Sequence, residues 1–129
     1  MYGILYNWYA INDSRGLAPI GWRIPSEKEW KDLIDSLGGP DFAGVKLKSQ
    51  TRWNNDGNGN NASGFSGLPG GYRNEKGVYS SVGFTGIWWS SSSNNDNSAI
   101  SYYVYNSNSF IFKEEKLKNN GLSVRCIKN

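Results

Sequence analysis

The chain contains no histidine. That absence removes Ser–His and Cys–His nucleophile pairs, imidazole acid–base chemistry and imidazole metal ligands together. There is one cysteine, Cys126, so no disulfide can close within the chain. Its alternating setting, Ser123-Val124-Arg125-Cys126-Ile127, reads as a strand carrying a core thiol with no base to activate it. No apolar run approaches the ~20 residues that cross a bilayer, and no signal-peptide pattern is visible. Charge is sparse, at 19% of residues and a net +3. The basic residues are scattered, and Glu114 and Glu115 interrupt the densest stretch, Lys113 to Lys118. Nothing resembles a nucleic-acid-binding stripe or motif, so no nucleic-acid partner is expected.

What is present is aromatic and polar. Aromatics are 15% of the 129 residues, with six Trp and eight Tyr. Disordered chains show the reverse, few aromatics and high net charge. The length fits one domain that buries roughly two-thirds of its unfolded surface. Residues 2–11 read as an aromatic-rich strand. Ser26-Glu27-Lys28-Glu29 is a capping box. Trp30, Leu33, Ile34 and Leu37 then fall at i, i+3, i+4 and i+7, and Gly38-Gly39-Pro40 stop the run, which predicts a one-sided helix over 27–37. A shorter helix is expected over 41–48, capped by Asp41, with Phe42, Val45 and Leu47 partly buried. Residues 49–71 have no sustained period and read as a long ordered loop anchored by Trp53, Phe65 and Leu68. Strands are expected at 86–90, 99–105, 109–112 and 122–127. Helices early and antiparallel strands late predict an α+β domain.

There are eleven acidic residues. Glu27, Glu29, Asp32 and Asp35 serve the first helix, and Glu75, Glu114 and Glu115 sit in turn or edge contexts. None has the apolar setting that raises a carboxyl pKa for acid catalysis, so a non-enzyme is expected. A two-carboxylate carbohydrate-active enzyme would have to draw on Asp56 or Asp96. Asp56-Gly57-Asn58-Gly59-Asn60 alternates oxygens in the manner of a calcium loop, making Asp56, Asn58 and Asn60 candidate ligands. An EF-hand would continue with Gly at its sixth position and Glu at its twelfth, where this chain has Asn61 and Gly67. The competing reading is that these Asn side chains cap turns and tolerate left-handed backbone.

Trp88 and Trp89 are neighbours in a strand and therefore point to opposite faces. One belongs to the core. The other is either a platform for a sugar ring or packs beneath a loop. The tract from Ser90 to Asn108 is rich in Ser, Asn and Tyr, a mixture of rigid contact area and adaptable hydrogen bonding that suits recognition. If Ile100, Tyr102 and Val104 face inward, Ser101, Tyr103 and Tyr105 face solvent. Trp89, Asn94, Asn95, Tyr103, Tyr105 and Asn108 are the expected ligand contacts.

Six motifs occur in order: Tyr2-Gly3-x-Leu5-Tyr6-Asn7-Trp8-Tyr9-Ala10, Pro19-x-Gly21-Trp22-Arg23-Ile24-Pro25-Ser26-x-x-Glu29-Trp30, Lys46-Leu47-Lys48-Ser49, Ser63-Gly64-Phe65-Ser66-Gly67-Leu68-Pro69-Gly70-Gly71-Tyr72-Arg73, Gly86-Ile87-Trp88-Trp89-Ser90-Ser91 and Gly121-Leu122-Ser123-Val124-Arg125-Cys126-Ile127. Together they resemble the Fibrobacter succinogenes major paralogous domain over essentially the whole chain. The resemblance implies a bacterial exported or cell-surface protein, and a C-type-lectin-like fold akin to formylglycine-generating enzymes. It places ligand contacts in the C-terminal strands and loops, from Ser92 to Asn108. It also implies paired N- and C-terminal strands, with Tyr6 and Trp8 near Val124 and Cys126. A glycan or a protein is the expected partner, with a structural or assembly domain as the alternative. Three departures stand out. Ala18 occupies the position where the family carries a cysteine, which leaves Cys126 free. The family pattern begins some tens of residues further upstream, so a version lacking that segment is expected. A single cysteine excludes the oxygen-activating pair of formylglycine-generating enzymes.

Overall fold

In a computed structural model describing residues 1–129, the capping box opens the main helix as its sequence requires. The Ser26 hydroxyl accepts from the Glu29 amide at 3.2 Å, and the Glu29 carboxylate accepts from the Ser26 amide at 3.1 Å. Helix α2 runs Glu27–Ser36 and buries Trp30 and Ile34, with Leu33 and Leu37 packed alongside. Helix α3 runs Pro40–Leu47. Its N-cap is Gly39 at φ 93°, not Asp41, because Pro40 supplies the preset first helical residue. Ala43 and Leu47 are buried, whereas Phe42 is exposed.

The sheet is antiparallel, in the order β4 (Thr85–Ser93), β5 (Ser98–Tyr105), β6 (Phe112–Leu117). The expected strand at 109–112 is displaced onto the charged segment 112–117, where Phe112, Glu114 and Lys116 alternate with Lys113, Glu115 and Leu117. Small two-stranded pairs flank it: β1 (Trp22–Arg23) with β7 (Ile127–Lys128), and β2 (Tyr72–Arg73) with β3 (Tyr79–Ser80). No helix is long and apolar enough to cross a membrane.

The aromatic N-terminus is not a strand. Asn7 caps a single helical turn, α1 (Trp8–Ile11), by accepting from the Ala10 amide at 3.0 Å. An Asn ahead of a buried Trp favours this cap over continued extension. Tyr6 bridges Leu122 rather than Val124 or Cys126, and the Trp8 amide donates to the Lys118 carbonyl at 2.9 Å. The terminal strand β7 pairs with Trp22 and Arg23 instead.

The sheet separates two cores. One holds Trp30, Ile34, Ala43, Leu47, Trp53, Trp88, Ile100, Tyr102, Val104 and Ile111 beneath α2 and α3. The other holds Trp8, Ile87, Trp89, Ala99 and Leu122. Trp88 and Trp89 thus anchor opposite cores, as strand alternation requires. Residues 49–71 are tied down by Trp53, whose Nε1 donates to the Ser49 hydroxyl and the Gly67 carbonyl.

Candidate functional site

Strand alternation and register assemble the site. Tyr103 and Tyr105 share one face of β5, and Tyr103 lies directly opposite Phe112 on β6. Their rings stack at 5.0 Å between centroids. Tyr105 meets Tyr103 edge-on at 5.3 Å and Phe112 at 5.9 Å, and Phe110 joins Phe112 at 6.0 Å. Four rings therefore form one continuous cluster at the edge of the second core. Tyr105 and Phe110 are 39% and 40% exposed. Tyr103 is half-buried, and burial, then Tyr105 and Glu114, push its hydroxyl above the usual tyrosine range. Glu114 and Lys116 continue the same face as an ion pair at 3.4 Å, and Lys116 lies over the Tyr72 ring.

Helix α3 and the residue that caps it support the loop joining β5 to β6. Gly44 donates its amide to the Ser109 carbonyl at 2.8 Å. The Lys48 ammonium is buried and donates to the carbonyls of Tyr105, Asn106 and Asn108 at 3.1, 3.3 and 3.0 Å. Burial pulls this ammonium below the ordinary lysine value. Lys48→Met would fill the space but leave three carbonyls without a donor. It is expected to cost about 2–3 kcal/mol, read from the midpoint of urea unfolding. An unchanged midpoint would show that the ammonium is not what holds the loop.

The expected contacts do not all converge. Trp89 is 0% exposed, and its Nε1 donates to the Tyr6 carbonyl at 2.8 Å, so it is a core residue and not a ligand platform. Asn94 and Asn95 are exposed in the β4–β5 turn, where Asn95 accepts from the Asn97 and Ser98 amides. They lie a full strand away from Tyr105, roughly 23 Å at ~3.3 Å per residue. Asn108 does sit beside the cluster, and its side chain accepts from the Phe110 amide. Ser101 is buried rather than solvent-facing, because Trp89 and Glu114 are its cross-strand partners. Phe110, Phe112, Glu114 and Lys116 were not singled out from sequence. The signal for three of them was the alternation Phe112-x-Glu114-x-Lys116, hidden by its charges.

The Asn58 and Asn60 side-chain oxygens are turned to the loop's own backbone, whereas the Asp56 carboxylate is exposed. Asn58 accepts from the Trp53 amide at 3.0 Å and Asn60 from the Ala62 amide at 3.0 Å. Asn55 and Asp56 adopt left-handed backbone at φ 53° and 56°. Asn60 makes an Asx turn and Asn58 bonds back across the loop, and no three acidic or thiol groups gather there. Asp56 and Asp96 are both exposed, on separate loops.

The largest concavity, about 790 Å³, lies on the other side of the sheet between α2 and β6. Its charges are matched internally: Lys113 with Glu27, and Lys31 with Asp35. Tyr102 reaches the Glu27 carbonyl at 3.4 Å, and burial pushes its hydroxyl up to about 12.

A family model described as the Fibrobacter succinogenes major domain matches residues 1–128. The chain belongs to this family. No curated protein and no solved structure matches it.

Proposed function

We propose that the chain is a non-catalytic recognition module, displayed outside the cell, that binds a glycan against the aromatic face of its sheet. The observation that carries this reading is the contiguous cluster of Tyr103, Tyr105, Phe110 and Phe112. Exposed rings in mutual contact are costly to leave against water, and they offer flat apolar surfaces to the C–H faces of a sugar. Glu114 and Lys116 stand beside them with charged donors and acceptors for hydroxyl groups. The lack of histidine and the solvent exposure of Asp56 and Asp96 favour binding over turnover. We also propose that the small paired strands and long loops around one central sheet are a C-type-lectin-like arrangement. Display outside the cell rests on the family resemblance alone.

The test is affinity electrophoresis against a panel of soluble polysaccharides. Tyr105→Ala with Phe110→Ala is expected to weaken a retarding polysaccharide about tenfold or more, because exposed aromatic anchors dominate such contacts. The melting temperature should move only a few degrees, since both side chains are substantially exposed. Retardation unaffected by the double substitution would place the glycan elsewhere. No retardation by any polysaccharide would shift the reading to a protein ligand.

A further inference from the structure

We propose that the free edge of β6 takes an extended acidic peptide of a partner protein as a fourth strand, seated in the concavity against α2. β6 is an edge strand, paired only with β5. Its phase is set at both ends. Lys118 donates its amide inward to the Asn97 carbonyl at 2.8 Å, and Ile111 donates outward to the Pro40 carbonyl at 2.8 Å. Antiparallel alternation then turns the amides and carbonyls of Lys113 and Glu115 away from β5, where no group of the chain meets them. The complement of such a row is another strand. No proline and no bulge interrupts it, and its two lysines are offset by two glutamates.

That edge runs along the concavity of about 790 Å³. Pro40, which accepts from Ile111, and Lys113 both line it, with Ile34 and Tyr102 as further lining. The volume is in the upper part of the range for ligand sites. Three ammonium groups, on Lys28, Lys31 and Lys113, stand around it against the carboxylates of Glu27 and Asp35. The ammonium groups sit in exposed ion pairs, which add little and exchange readily for a better-placed acid. A strand with an acidic side chain toward α2 therefore suits the groove. A second copy of the chain does not. Two β6 strands related by a two-fold axis in one sheet set one residue against its own copy, and from 113 to 116 that residue is Lys or Glu. Like charges directly opposite disfavour pairing.

The probe is a display library of peptides with a fixed central Asp, each about seven residues long at ~3.3 Å per residue. Glu115→Pro blocks the edge. The N–H it removes faces outward, so no bond to β5 is lost and the melting temperature should stay within a few degrees. Peptides selected on the parent are expected to bind Glu115→Pro about tenfold more weakly or worse. N-methylation along a selected peptide should weaken binding at alternate residues only, because alternate amides face β6. That second readout needs no variant of the protein. Failure to select any peptide would overturn the proposal. So would equal binding to Glu115→Pro, or N-methylation effects that do not alternate. Binding lost in Tyr105→Ala with Phe110→Ala but kept in Glu115→Pro would place the peptide on the aromatic face and overturn it as well. A parent dimer dissolved by Glu115→Pro would assign the edge to a second copy instead. Polysaccharide retardation does not depend on this edge, so the two readings fail separately.

Discussion

Gly44→Ala is expected to lower the melting temperature by about 10 °C, although the position lies inside a helix. Within a helix this exchange ordinarily stabilises by roughly 0.5–1 kcal/mol, because glycine pays more backbone entropy. Here the added Cβ would stand 2.2 Å from the Phe110 carbonyl oxygen and 2.6 Å from that of Ser109. Both obstacles are backbone, so no rotamer change relieves them. The loop cannot retreat cheaply either. Gly44 and Ile111 donate their amides to Ser109 and Pro40 across the same contact, each at 2.8 Å, and Lys48 grips the loop from the far end of α3. The net cost should reach about 3 kcal/mol, the upper end of ordinary overpacking. Thermal unfolding followed by circular dichroism decides the matter. A melting temperature that rises would mean the loop does not rest on the helix.

The second large effect belongs to Trp89. Trp89→Ala is expected to cost about 3–5 kcal/mol, the range for deleting a buried Trp. The indole is wholly enclosed, fills the centre of the smaller core and holds the N-terminal segment through the Tyr6 carbonyl. Trp89→Phe should cost less, since it keeps much of the packing, and the Tyr6 carbonyl retains the Leu122 amide at 2.9 Å. Denaturant unfolding of both variants separates a core Trp from a surface one. If Trp89→Ala unfolded like the parent while glycan binding fell, the two-core arrangement would be wrong.

Local signals were the readable part of this chain. The capping box and the Trp30–Leu37 stripe are short-range patterns, and they define α2 to within a residue. The inward set Ile100, Tyr102 and Val104 followed from alternation alone. What escaped depends on partners far along the chain. The segment from Tyr2 to Ile11 has strand-like composition, but Asn7 capping and the burial of Trp8 against Leu122 and Trp89 override it. Strand β6 was obscured because four of its six residues carry charge. Nothing near Gly44 announces that residues 109 and 110 will lie on it. Lys48 reads as an ordinary surface lysine until its three carbonyl partners, 57 to 60 residues away, come into view. The aromatic site was half readable for the same reason: Tyr103 and Tyr105 lie on one strand, but Phe110 and Phe112 join them only through register.

The support beneath that site has a consequence for how the family can diversify. Gly44 and Lys48 hold the β5–β6 loop by its carbonyl oxygens, groups that every amino acid supplies. The path of the loop is thereby largely uncoupled from the identity of the side chains it displays. Residues at 105, 107 and 110 can be exchanged while the scaffold beneath stays fixed. A lineage could alter the surface the domain presents without first having to re-solve how it folds.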